Sequence, residues 1–177
     1  MPPNFYLTPK SRQHLKRHFG NGTMAGSYFL AATFQTSDDL LAFLENAKPV
    51  SITKQTANNS VFLYALTDGR MAGTVGIAKR NSFSADNLSY ELRDGFQIEV
   101  GLVEELTFTT DFCMVARQTR KGYSVITAFP GSFARPFARK GQPTNEFELN
   151  KQFWEDHVLL KVNSELFNHA VIALPNS

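Results

Sequence analysis

His14 and His18 stand four residues apart in the segment Thr8-Pro9-Lys10-Ser11-Arg12-Gln13-His14-Leu15-Lys16-Arg17-His18-Phe19. On a helix that spacing puts both imidazoles on one face, one turn from each other. Two such groups can share a metal ion or move protons. A metal site needs three or four matched ligands. Residues 1–37 hold no Asp or Glu, and His157 and His169 lie far along the chain. The expectation is therefore no metal ligand set and no cofactor. Proton transfer suits the pair better. Cleaving RNA takes a base for the 2′-OH proton, an acid for the leaving 5′ oxygen, and cations around the phosphorane. Histidine titrates near neutral pH and can serve as either acid or base. Lys16 and Arg17, set between the two imidazoles, would favour the neutral ring and attract phosphate.

A third group with chemistry to offer is Thr127, in Tyr123-Ser124-Val125-Ile126-Thr127-Ala128-Phe129-Pro130. In a strand Thr127 and Phe129 point to one face. A hydroxyl there could bind a non-bridging phosphate oxygen, and an aromatic beside it could stack a base. The same spacings also fit a blander arrangement, with one histidine under a sheet, the other in solvent, and Phe129 in the core.

Charge is distributed unevenly around these groups. Residues 1–37 carry Lys10, Arg12, Lys16 and Arg17 without an acid; residues 112–145 carry Arg117, Arg120, Lys121, Arg135, Arg139 and Lys140, again without one. The formal charge of +2 thus conceals two cationic windows separated by acidic stretches. That asymmetry suits a polyanion better than a neutral metabolite, although solvated loops would read the same way. The loop after Pro130 interleaves Phe133 and Phe137 with Arg135, Arg139 and Lys140, a pattern that fits single-stranded nucleic acid.

The elements that must position these residues are legible in outline. A chain of 177 residues, 42% hydrophobic with sixteen Phe, is expected to form one domain over 1–177 with a real core. Its apolar runs are strand-sized, so no membrane-spanning helix is expected, and the N-terminus shows no secretory signal. Cys113, the single cysteine, reads as a small buried hydrophobe. Thr8-Pro9 opens a capped helix, which Gly20-Asn21-Gly22 ends; a second starts near Thr36-Ser37-Asp38 and stops at Lys48-Pro49. Strands follow over 61–66 and 71–77, joined by an Asp68-Gly69 hairpin turn, and over 96–103. A second hairpin joins 112–118 to 123–129 through Thr119-Arg120-Lys121-Gly122, and a third helix covers 145–161. The expected class is α+β: N-terminal helices packed on an antiparallel β-sheet, with a late C-terminal helix.

The combination of His14-Leu15-Lys16-Arg17-His18-Phe19-Gly20, then Ala32-Thr33-Phe34 before a helix, then a hairpin ending Tyr123-Ser124-Val125-Ile126-Thr127-Ala128-Phe129-Pro130, resembles bacterial ribonuclease toxin domains. These are the C-terminal domains of contact-dependent growth inhibition proteins and other polymorphic toxins, of barnase/EndoU/colicin-like or pancreatic-ribonuclease-like type. The resemblance spans about residues 8–131 and leaves 132–177 as an extension. It implies a metal-independent endoribonuclease with RNA, tRNA included, as substrate, and His14, His18 and Thr127 as the catalytic set. Thr33 would lie near the site, and Phe129 takes a place often held by Tyr. Further implications are a cognate immunity or inhibitor protein as partner, no membrane partner, and action in the cytoplasm after delivery within a larger secreted protein. Two other classes remain open. One is a non-catalytic nucleic-acid-binding module; the other is a protein-interaction or immunity-type domain.

Overall fold

The computed structural model describes residues 2–19, 25–93 and 95–162. Strand β1 (Phe5–Tyr6) leads into helix α1 (Pro9–Leu15) and a 3-10 turn, Lys16–His18; helix α2 is Ser37–Leu44. Then come β2 (Ser51–Lys54), β3 (Asn59–Ala65), β4 (Gly73–Thr74), β5 (Ile77–Lys79), β6 (Leu88–Arg93) and β7 (Phe96–Leu102). The chain continues through β8 (Phe108–Thr109), β9 (Asp111–Thr119), β10 (Gly122–Pro130), helix α3 (Thr144–Asp156) and β11 (His157–Lys161). The class is α+β. Among the described residues no helix is long and apolar enough to cross a membrane.

Local chemistry explains where the first two helices start. Thr8 and Thr36 each accept a hydrogen bond from the backbone N–H three residues on, and the Ser11 and Asp39 side chains in turn accept one from the backbone N–H of the cap. These reciprocal capping boxes satisfy two otherwise orphaned donors at each end. Pro9 sits at the first turn of α1, where its missing N–H costs nothing. The Gly20-Asn21-Gly22 stop signal lies outside the described residues.

The expected single antiparallel sheet is instead two main sheets and a short β4–β8 pair. A five-stranded sheet has the order β1-β10-β9-β3-β2, and a four-stranded one β5-β11-β7-β6. Each is mixed, because β1 runs parallel to β10 and β11 parallel to β7. The β9–β10 hairpin forms as the sequence implies, turning through Gly122 at φ +125°. The Asp68-Gly69 turn does not make a hairpin. β3 pairs with β2 and β9, while β4 pairs with β8, so the chain leaves the sheet after Ala65. A turn signal fixes local backbone conformation, whereas the partner on either side is chosen by long-range packing. The expected helix over 145–161 ends at Asp156, and residues 157–161 are a strand instead. Val158 and Leu159 are buried, and β11 lies between β5 and β7. A short apolar run can serve a buried strand as well as a helix.

Phenylalanine builds the main core. Phe29, Phe34, Phe62 and Phe112 cluster with Tyr64, Leu15 of α1, and Leu40 and Leu44 of α2 on one face of the five-stranded sheet. Tyr64 stacks on Phe112 with centroids 5.2 Å apart. The opposite face carries Val61, Cys113 and Phe129, covered by Phe133 and Ala134 from the loop after β10. Cys113 is fully buried, which pushes its thiol pKa up and suits a packing role.

Candidate active site

β1 pairs with β10 only at Tyr123 and Ser124, and α1 packs against β10 further along. Leu15 enters the main core, while the neighbouring His14 reaches the other face of the sheet. There its Nε2 lies 3.0 Å from the Thr127 hydroxyl. A bulge in β10 makes this meeting possible. Val125 pairs with Ala116 and Thr127 with Val115, leaving Ile126 as the extra residue. Val125 and Ala128 join the main core, and Phe129 belongs to the opposite face. In an unbroken strand Thr127 would share Val125's face and point into the core. The bulge turns it toward the histidine.

His18, one turn beyond His14, has its ring centroid 6.1 Å from that of His14 and 5.8 Å from that of Phe129. Its Nδ1 lies 2.9 Å from the Ser27 carbonyl oxygen, which can only accept, so Nδ1 carries the proton. In the neutral ring the lone pair is then on Nε2. Burial is the largest cause holding the His18 pKa down, to about 4; nearby His14, Arg17 and Arg93 act in the same direction, and the Ser27 bond opposes them. The residue as a whole keeps some solvent-accessible surface. Ser27 itself is held by close packing: a Cβ on Gly76 would lie 2.1 Å from its backbone nitrogen, so only glycine fits there.

His14, His18 and Thr127 open onto a cleft of about 420 Å³ between the two main sheets. Among the described residues its cations are Arg17, Arg93, Arg135 and Arg139, against a single acid, Glu146. The hydrogen bonds of Arg93 and Arg135 show how the fold holds them. Arg93 donates to the Ala25 carbonyl at 2.6 Å, and Arg135 Nε donates to Asn150 Oδ1 at 2.8 Å. Asn150 is 1% exposed and also donates to Gln142 Oε1, so α3 holds the 131–142 loop against the cleft. Phe129 lines the cleft as well.

Several residues singled out from the sequence do not line it. The Thr33 hydroxyl donates to the Met71 carbonyl at 2.7 Å. Arg120 and Lys121 stand exposed at the β9–β10 turn, at the end of the hairpin opposite Pro130. Lys16 and Lys140 are exposed outside the cleft wall. Arg117 is not in the lining either; it pairs across the strands with Asn59, its Nε donating to Asn59 Oδ1 at 3.3 Å. His157 stacks on Phe153 at 4.0 Å and lines a separate hollow; His169 lies outside the described residues. Among the described residues no three His, Cys, Asp or Glu side chains are grouped to hold a metal ion.

Sequence reasoning missed Arg93, Asn150 and the polar wall of Gln55, Thr56 and Asn59. Arg93 sits in an acidic stretch, and the others have no neighbours in sequence that mark them. The glycine pair Gly73 and Gly76 was the one available hint that backbones approach closely near Ser27. No protein-family model and no curated protein sequence matches this chain.

Proposed function

We propose that the protein is a metal-independent endoribonuclease that cleaves RNA by transesterification. The observation that carries this reading is the contact between His14 Nε2 and Thr127 Oγ1, with His18 one turn away, in a cleft bearing Arg17, Arg93, Arg135 and Arg139. His18 is the base. It stays neutral at pH 7, and its proton on Nδ1 leaves Nε2 to take the 2′-OH proton. O2′ then attacks phosphorus, the bond from phosphorus to O5′ breaks, and His14 gives its proton to O5′. The products are a 2′,3′-cyclic phosphate and a 5′-hydroxyl. A phosphate arriving beside His18 raises its proton affinity, moving a weak base toward the working pH. Thr127 donates to a non-bridging oxygen, and the arginines offset the charge growing on the phosphorane.

The test is cleavage of total tRNA in EDTA. Wild type should cut; His14→Ala and His18→Ala should each lose about 10²–10⁴-fold in rate. Thr127→Ala should lose about 10²–10³-fold. Binding without scission by the wild type would instead identify a nucleic-acid-binding module. Equal cutting by all four proteins would reject the assignment outright.

A further inference from the structure

We propose that the wall of the cleft built by α3 and its preceding loop is a nucleobase subsite, which restricts the substrate to single-stranded RNA. The inference deepens the ribonuclease reading and rests on it for the identity of the sugar–phosphate backbone. Phe137 and Trp154 both line the cleft, with ring centroids 4.5 Å apart and planes inclined at 36°. The Trp154 indole is locked in place: its Nε1–H donates to the Arg135 carbonyl at 2.9 Å and the Pro136 carbonyl at 3.2 Å. Its ring also packs on the cluster of Val100 and Leu159. A rigid aromatic face loses little entropy when a base stacks on it, and every base has a π-face to offer. The Arg139 guanidinium lies 5.1 Å from the Phe96 centroid and also lines the cleft, placing a cation for the adjoining phosphate.

Other groups that line the cleft suit the edge of a stacked base. Gln55 and Thr56 of the β2–β3 turn and Asn59 at the start of β3 bring amide and hydroxyl groups, and Arg117 donates to the Asn59 carboxamide oxygen. Such groups can hydrogen-bond the edge that pairing would otherwise occupy. Size decides the class of substrate. A cavity of about 420 Å³ is in the range that encloses one small ligand, here one nucleotide. Bases inside a duplex are covered by their neighbours in the stack, so only an unpaired nucleotide can enter.

Trp154 is the chain's only tryptophan, so its emission reports on this wall alone. The probe is a 2′-O-methyl RNA oligonucleotide, which lacks the attacking hydroxyl, compared with an abasic oligomer of equal charge and with the same strand annealed to its complement. The free strand should quench Trp154 saturably, and the abasic oligomer should not. The duplex should bind more weakly than the free strand. Phe137→Leu, which keeps apolar bulk but removes the π-face, should weaken binding of the free strand by about 5–100-fold. Its affinity for the abasic oligomer should be unchanged. Unmoved emission at saturating strand, equal quenching by the abasic oligomer, or duplex binding as tight as the single strand would overturn the subsite. Because the probe cannot be cleaved, the catalytic assignment and the subsite fail independently: loss of cutting with retained quenching removes only the former.

Discussion

At the scale of single residues, the two histidines differ in environment more than their shared helix face suggests. His14 meets a hydroxyl, whereas His18 is walled in and tied to a backbone carbonyl. The low His18 pKa has a consequence for stability. The unfolded chain binds a proton at this site near pH 6.5, and the folded one only near pH 4. Above about 6.5 both states are neutral there and the group has no effect. As pH falls from 6.5 through 4, the unfolded state gains protons first and the fold is progressively destabilised; below about 4 the loss levels off. The span corresponds to about 2–3 kcal/mol, allowing for the residue's partial exposure to water. Urea titrations at pH 7 and pH 4 should show a smaller difference for His18→Gln than for the wild type. Identical pH dependence in both proteins would mean that the ring is solvated.

At the scale of elements, the decisive device is a helix serving a loop. α3 begins just beyond the cationic loop, and Asn150 holds Arg135 while Trp154 caps two of the loop's carbonyls. Asn150→Ala removes the acceptor for the Arg135 Nε–H and the donor to Gln142. It should cost about 1–3 kcal/mol of stability, since partly buried polar groups lose their partners. RNA should also bind more weakly to this variant, because Arg135 is no longer aimed. Chemical denaturation and filter binding read the two effects, and a variant with unchanged stability would rule out the clamp. The elements also show where sequence reading works. The starts of the first two helices and the β9–β10 hairpin are written in short motifs and form as read. β11 is not: Val158-Leu159-Leu160 could extend α3, and only pairing with β5 and β7 makes it a strand. The β10 bulge leaves no mark in composition either, yet it determines which way Thr127 faces.

At the scale of the whole molecule, two cationic windows far apart in sequence contribute to one cleft: Arg17 from the first, Arg135 and Arg139 from the second, joined by Arg93 from an acidic stretch. Four cations meeting a phosphate backbone should make RNA binding strongly salt-dependent. For a single strand the slope of log K against log salt should be about −2 to −3. A near-flat slope would show that the arginines do not contact phosphate. The remaining cations of the windows, Lys10, Arg12, Lys16, Arg117, Arg120, Lys121 and Lys140, lie outside the cleft wall, so a cationic stretch of sequence does not by itself mark a site.

What the sequence determined by itself is local: the caps that start two helices, the turn that closes one hairpin, the helical spacing that puts His14 and His18 on one face, and the aromatic supply for a core. Those outcomes depend on neighbours within a few residues, which a sequence displays directly. What only the tertiary structure decided is the approach of His14 to Thr127 across more than a hundred residues, the burial that lowers the His18 pKa, and the clamp of Asn150 on Arg135. Each depends on which faces pack together, and that choice is made by the burial of the entire chain at once.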